Sequence, residues 1–174
     1  GVQTCALPIY DEIIAKGRAI IDMCPEFGVP NYTMLTGYRW RDADDPASGE
    51  ISLAEGADNC LTAIRALLPH AERAGVNLCL EHLNTRDNSH DMKGHAGYQG
   101  DDLDYIADIV RRAASPRVKI LFDVYHASVM NGDLIRRIHE YGDLIGHVHT
   151  AGNPGRGELD ASQDRKSTRL NSSH

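Results

Sequence analysis

Apolar positions along this chain switch repeatedly between a helical and a strand period. Over residues 10–24, Ile13, Ile14, Ile20 and Ile21 are read on one helical face, with Lys16 and Arg18 elsewhere, and Pro25 and Gly28 stop the helix. A short strand follows over 29–36, then a polar excursion over 38–50. Residues 52–74 predict a second helix with Leu61, Ile64, Leu67 and Leu68 as its stripe. Ser52 with Glu55 matches a capping box, although the neighbouring register fits equally well, and Gly75 suits the residue just past the C-terminus. A strand over 76–83 leads into a long polar loop over 84–99. A helix over 101–114 presents Leu103, Ile106, Ile109 and Val110, and Ser115-Pro116 ends it. Then come a strand over 118–124, a short helix over 130–141 with Leu134, Ile135 and Ile138 inward, and a strand over 144–149.

Strict helix–strand alternation implies right-handed βαβ units and a parallel sheet. It does not by itself separate a doubly wound sheet from a barrel, because both place their sites at strand C-termini. No GxGxxG follows a strand, so a dinucleotide site has no support. What the strand ends carry is different. Glu81, Asp123 and His149 each close an apolar run and open a polar loop. By the period of two, Glu81 shares a face with Cys79, Asp123 with Leu121 and His149 with His147. Singly, each has an ordinary explanation: a loop salt bridge for Glu81, a cap for Asp123, an interior hydrogen bond for His147. Jointly, two carboxylates and an imidazole at one topological position suit one divalent metal, Mn, Mg, Co or Zn, with positions left for water or substrate oxygens.

Other polar residues keep two readings. His126, three residues past Asp123, either meets a substrate hydroxyl or serves as a cap or surface imidazole. Arg156, in Asn153-Pro154-Gly155-Arg156, and Arg86 either grip a substrate oxyanion or are solvated loop arginines. His82, His90 and His95 read as exposed loop histidines, and Trp40 and Tyr98 as possible pocket walls.

Length narrows the architecture. The 174 residues suffice for one domain with a real core, yet a complete (β/α)8 barrel typically takes ~250. The net charge of −7 argues against a nucleic-acid partner, whose phosphates want a basic face. No apolar run reaches the ~18 residues of a membrane span. Cys5, Cys24, Cys60 and Cys79 form no CxxC pair and read as buried reduced thiols, which fits a cytoplasmic setting. No signal peptide is visible at the start, which also lacks an initiator Met. Residues 1–9 and 164–174 resemble translated sequencing-adapter read-through, which leaves residues 10–163 as the domain.

The stretches Glu81-His82-Leu83-Asn84-Thr85-Arg86, Phe122-Asp123-Val124-Tyr125-His126, Met130-Asn131-Gly132-Asp133-Leu134 and Ile145-Gly146-His147-Val148-His149-Thr150-Ala151-Gly152-Asn153-Pro154-Gly155-Arg156 resemble the xylose-isomerase-like barrel superfamily, especially its hydroxypyruvate-isomerase-like sugar isomerases. The resemblance implies a partial (β/α)8 TIM barrel, about strands 3–6 with flanking helices. It implies a metal-dependent aldose–ketose isomerase working on a small hydroxy-carbonyl or sugar substrate through an enediolate, with a homo-oligomer an option for the full-length parent. Glu81 matches a residue that is both a metal ligand and a proton-transfer carboxylate. Asp123 and His149 match further ligands, while His126 and Arg156 match substrate-contacting positions. A second Glu is expected on the last strand, outside this chain, so the chain alone is expected to be inactive. The alternatives are a ketose 3-epimerase or inosose dehydratase of the same superfamily, a non-catalytic sugar-binding module, or an unfolded gene fragment. A DNA-repair endonuclease of that superfamily would want more zinc ligands and a basic groove.

Overall fold

The computed structural model describes residues 8–159 apart from 43 and 91, so Cys5 and residues 164–174 lie outside the described part. Helix α1 (Pro8–Met23) runs into a single 3-10 turn (Cys24–Phe27), and Gly28 in the left-handed region closes it. Because α1 begins at Pro8, the last two residues of the segment set apart as adapter-like already belong to a fold element. Strand β1 (Asn31–Met34) comes next, then a hairpin of β2 (Trp40–Asp42) and β3 (Asp45–Glu50). Helix α2 (Leu53–Ala74), strand β4 (Asn77–Glu81), helix α3 (Leu103–Ala113) and strand β5 (Val118–Asp123) follow. Helices α4 (Val124–Met130) and α5 (Leu134–Tyr141) then lead to strand β6 (Ile145–His149).

Four strands form one parallel sheet in the order β1-β4-β5-β6. Each neighbour in that sheet follows through a crossover helix, as the alternation demands. Leu78, Leu80, Val118, Ile120 and Phe122 point to the helical layer and meet Leu61, Ile64, Ile106 and Ile109 in one buried core. The opposite face carries Cys79, Glu81, Leu121 and Asp123, and it is the inner, concave side on which the polar strand ends converge. Among the described strands, β1 and β6 are paired on one side only, so the barrel is open.

Local signals explain the element ends. The Ser52 hydroxyl accepts the Glu55 N–H at 3.1 Å, which settles the register of the capping box. Gly75, at φ 71°, ends α2 as expected of a left-handed cap. Asp102 caps α3 by accepting from Asp104 and Tyr105. A Cβ on Gly17 would sit 3.0 Å from Leu67 and 3.2 Å from the Tyr32 hydroxyl, so that glycine sets how closely α1 approaches α2.

Several expectations are corrected. Ile14 and Ile21 are buried in α1, but Ile13 and Ile20 are 58% and 50% exposed, because a 100° step per residue rotates each away from its neighbour. In α5 the inward residue is Tyr141, with Leu134 partly buried, while Ile135 is 76% exposed. The polar excursion over 38–50 is a hairpin. It is tied to the rest by the Arg39 N–H donating to the Gly97 carbonyl and by the Trp40 ring lying where a Gly97 side chain would be. Helix α4 occupies a stretch read as strand end and loop, and Met130 ends it instead of starting α5. Cys24, Cys60 and Cys79 are free buried thiols, as expected. No helix among the described residues is long and apolar enough to cross a membrane.

Candidate metal and substrate site

Glu81 and Asp123 end adjacent parallel strands on the same face, and His149 ends the third, directly in register with Asp123. The His149 Nδ1 lies 3.1 Å from Glu81 Oε1 and 4.0 Å from Asp123 Oδ2. Both carboxylates are nearly closed to solvent, whereas His149 is 43% exposed on the open flank of β6. His147 is exposed as well, and its ring packs edge-on to His149 at 5.1 Å, so it is not the interior hydrogen-bonder expected of it.

Asp123 has two tasks. Its Oδ1 accepts the His126 N–H at 3.0 Å and so caps α4, which lifts the His126 ring to the site. Its Oδ2 is ringed by three nitrogens, Arg156 Nη2 at 3.6 Å, His126 Nε2 at 3.8 Å and His149 Nδ1 at 4.0 Å. Each stands just beyond hydrogen-bond length. One ligating atom each of Glu81, Asp123 and His126 falls within 4.8 Å of the others. Arg156 adopts the left-handed region at φ 53° at the end of the 151–156 loop. Its guanidinium lies 5.7 Å over the Tyr125 ring and donates to the Met92 carbonyl.

The site thus gathers Glu81, Asp123, His149, His126 and Arg156. Arg86 is held elsewhere: it is exposed and donates to the Val129 carbonyl at 3.1 Å. His82 is fully buried against Phe122, with ring centroids 6.0 Å apart, and is no exposed loop histidine. The half-buried His95 ring sits 6.1 Å from His126. Tyr98 is buried behind the site, its hydroxyl accepting the Thr36 N–H at 2.6 Å. Three residues not singled out from the sequence also belong to the surroundings. Asn84 touches His126 at its Nδ1, and Tyr125 donates its hydroxyl to Asp87. Asn84 and Asp87 share an Asx-type turn right after β4, the Asp87 N–H donating to Asn84 Oδ1 at 2.9 Å, and that spacing was the available signal.

Burial shapes the site's proton affinities. It raises the Glu81 carboxyl above its usual range, His149 opposes that rise, and the Asp123 carboxylate adds to it. Burial, then Arg156, His95 and His149, hold His126 down at about 3. Burial and the neighbouring His126 hold His82 at about 4. Unfolded, both imidazoles would take up a proton near pH 6.5. Between that value and their folded pKa values the unfolded chain binds more protons, so their contribution is complete above pH 6.5 and drains away as pH falls toward 3. Glu81, with its raised pKa, works in the opposite sense, one carboxyl against two imidazoles. Urea midpoints measured at pH 7, 6 and 5 are therefore expected to fall with pH. A flat profile would mean that the two rings are not buried neutral.

A family model described as "Xylose isomerase-like TIM barrel" matches residues 9–167. The chain belongs to that family. Its xylose-isomerase-like fold is a parallel sheet with flanking helices, here a partial barrel. A putative hydroxypyruvate isomerase of Streptomyces coelicolor is 31% identical over 162 residues, covering 90% of this chain and 54% of the relative. A 3-dehydro-D-guloside 4-epimerase of Escherichia coli K12 is 32% identical over 105 residues, covering 56% of this chain and 36% of the relative. The crystal structure of an AP endonuclease, family 2, from Brucella melitensis superposes with a TM-score of 0.75 at 19% identity, over 97% of this chain and 59% of that one. The chain spans about half the length, or less, of these curated relatives.

Proposed function

We propose that the whole barrel to which this half contributes is an intramolecular aldose–ketose isomerase of hydroxypyruvate-isomerase type, acting on a small hydroxy-carbonyl or sugar substrate. The observation that carries the reading is the pair of buried carboxylates, Glu81 and Asp123, facing His149 across a gap ringed by nitrogens at 3.6–4.0 Å from Asp123 Oδ2. The Streptomyces relative's name agrees with it.

The donor set fits a divalent cation. Two carboxylates this close and this buried repel one another, and a cation between them would relieve that cost. Glu81, Asp123 and His149 would hold it, and once bound it would supply the positive charge that favours negative charge on substrate oxygens. The residues themselves do the rest. Burial makes the Glu81 carboxylate a better proton acceptor than an exposed glutamate. It takes the proton from the hydroxyl-bearing carbon next to the carbonyl, the C–H electron pair moves into an enediolate, the hydroxyl proton passes to the former carbonyl oxygen, and a proton returned to the former carbonyl carbon completes the isomerisation. Arg156 and His126 orient the substrate oxygens. The same machinery returning the proton to the same carbon from the other side would be an epimerase, the reading that the Escherichia coli relative's name favours.

The test is product analysis in D2O with Mn²⁺, using the completed barrel with hydroxypyruvate and a panel of ketoses. Movement of the carbonyl with solvent deuterium on carbon supports the isomerase. Inversion at one carbon with the carbonyl unmoved supports the epimerase. No deuterium uptake from any substrate sinks both.

A further inference from the structure

Asn84, the first residue of the long loop and fully buried, is bonded on every side. Its Oδ1 accepts the Asp87 N–H at 2.9 Å, and its Nδ2 donates to the Lys93 carbonyl at 2.6 Å. Main-chain groups have fixed polarity, so these two bonds leave no freedom to exchange the amide oxygen and nitrogen. The same Nδ2 lies 2.7 Å from His126 Nδ1, and the Asn84 backbone N–H donates to that atom at 3.1 Å. The Asn84 carbonyl accepts from the His95 N–H at 2.8 Å, which folds the loop back over the ring. Two donors therefore converge on one imidazole nitrogen, and that nitrogen must be the lone-pair one. The ring proton is then on Nε2. That atom is buried, has no hydrogen-bond partner, and stands 3.8 Å from Asp123 Oδ2 in the middle of the site.

We propose that Asn84 is a positioning residue that fixes the tautomer of His126, making Nε2 a donor toward the site and keeping that ring out of the metal's ligand set. Distance alone would admit His126 as readily as His149, since its ring nitrogen is one of the three atoms within 4.8 Å. A protonated nitrogen has no lone pair to give a cation. What it suits is an oxygen with spare lone pairs, above all one on which negative charge grows, such as a substrate carbonyl oxygen passing to an enediolate. Asparagine meets the requirement because one short side chain must both donate and accept; aspartate would lose the donor and glutamine would overreach. The identity of the oxygen rests on the isomerase reading, whereas the tautomer does not.

Long-range ¹H–¹⁵N correlation of the histidine rings in the ¹⁵N-labelled chain is the direct test. His126 is expected to show a protonated-type Nε2 and an unprotonated-type Nδ1. On titration with Zn²⁺, the His149 ring is expected to shift while His126 keeps its Nε2 proton. A protonated Nδ1, an even mixture of tautomers, or loss of the Nε2 proton on adding Zn²⁺ would overturn the proposal. Asn84→Asp places an acceptor beside Nδ1 and is expected to move a proton onto it; a folded variant with Nδ1 still unprotonated also overturns it. Should that variant not fold, the unmutated chain's signature decides. The expected signature in this chain, with no turnover of any substrate by the completed barrel, would count against the isomerase reading and support this one.

Discussion

Replacing Glu81 with glutamine is expected to lower the turnover of a completed barrel by ~10²–10⁴-fold while leaving the fold as stable as before or slightly more so. The amide keeps the size of the side chain and one acceptor oxygen. It cannot accept a proton near neutral pH, and it brings no charge to a cation. The stability half of the expectation follows from burial. Glu81 sits beside the Asp123 carboxylate in a closed site, and both burial and that neighbour disfavour its ionised form. Removing the charge relieves both costs, and the ion pair lost with His149 involves a ring that is 43% exposed, where such pairs are worth about 0–1 kcal/mol. Turnover, Mn²⁺ affinity by calorimetry and the thermal midpoint should thus separate: the first two fall and the third holds. Unchanged turnover would remove Glu81 from the chemistry. A collapsed midpoint would instead assign it a structural role.

Much of this arrangement is legible in the sequence. Period placed α2 and α3 to within a residue or two, and Ser52 and Gly75 mark the ends of α2 through local geometry that needs no tertiary context. Strand ends placed Glu81, Asp123 and His149 together, because parallel strands in register carry their C-termini to one side. What was not legible depends on partners far along the chain. The β2–β3 hairpin lacks an alternating pattern and is tied down by the distant Gly97. Helix α4 was hidden because its cap is Asp123 itself, so a residue read for its ligand chemistry also starts a helix. The burial of His82 against Phe122, and the role of Asn84, come from a loop whose fold is set by its own polar side chains and not by periodicity. The exposed isoleucines of α1 and α5 mislead for a further reason. Ile13 and Ile20 stand one step from the buried Ile14 and Ile21, and in α5 the buried residue is Tyr141, so apolar character alone does not say which side of a helix faces the core.

Phe122→Ala is expected to cost the most stability of any single change discussed for this chain, about 3–5 kcal/mol. Phe122 is fully buried on the helical side of β5, between two neighbours that face the concave side, Leu121 and Asp123. Its loss removes the ring from the shared core of sheet and helices and leaves a cavity that a parallel sheet, hydrogen-bonded on both sides of β5, cannot close by moving. Small domains hold only ~5–15 kcal/mol in total, so a loss of this size consumes a large share of the margin. The site would feel it too, because the next residue, Asp123, both lines the gap and caps α4 beneath His126. Phe122→Leu keeps most of the volume and is expected to cost no more than ~1.5 kcal/mol, which separates packing from any special demand for a ring. Urea denaturation followed by circular dichroism reads both variants, with the midpoint expected to fall and the slope to stay constant. A Phe122→Ala midpoint matching that of the unmutated chain would mean that β5 does not pack on the helices through this residue, and the platform described for Asp123 and His126 would have to be redrawn.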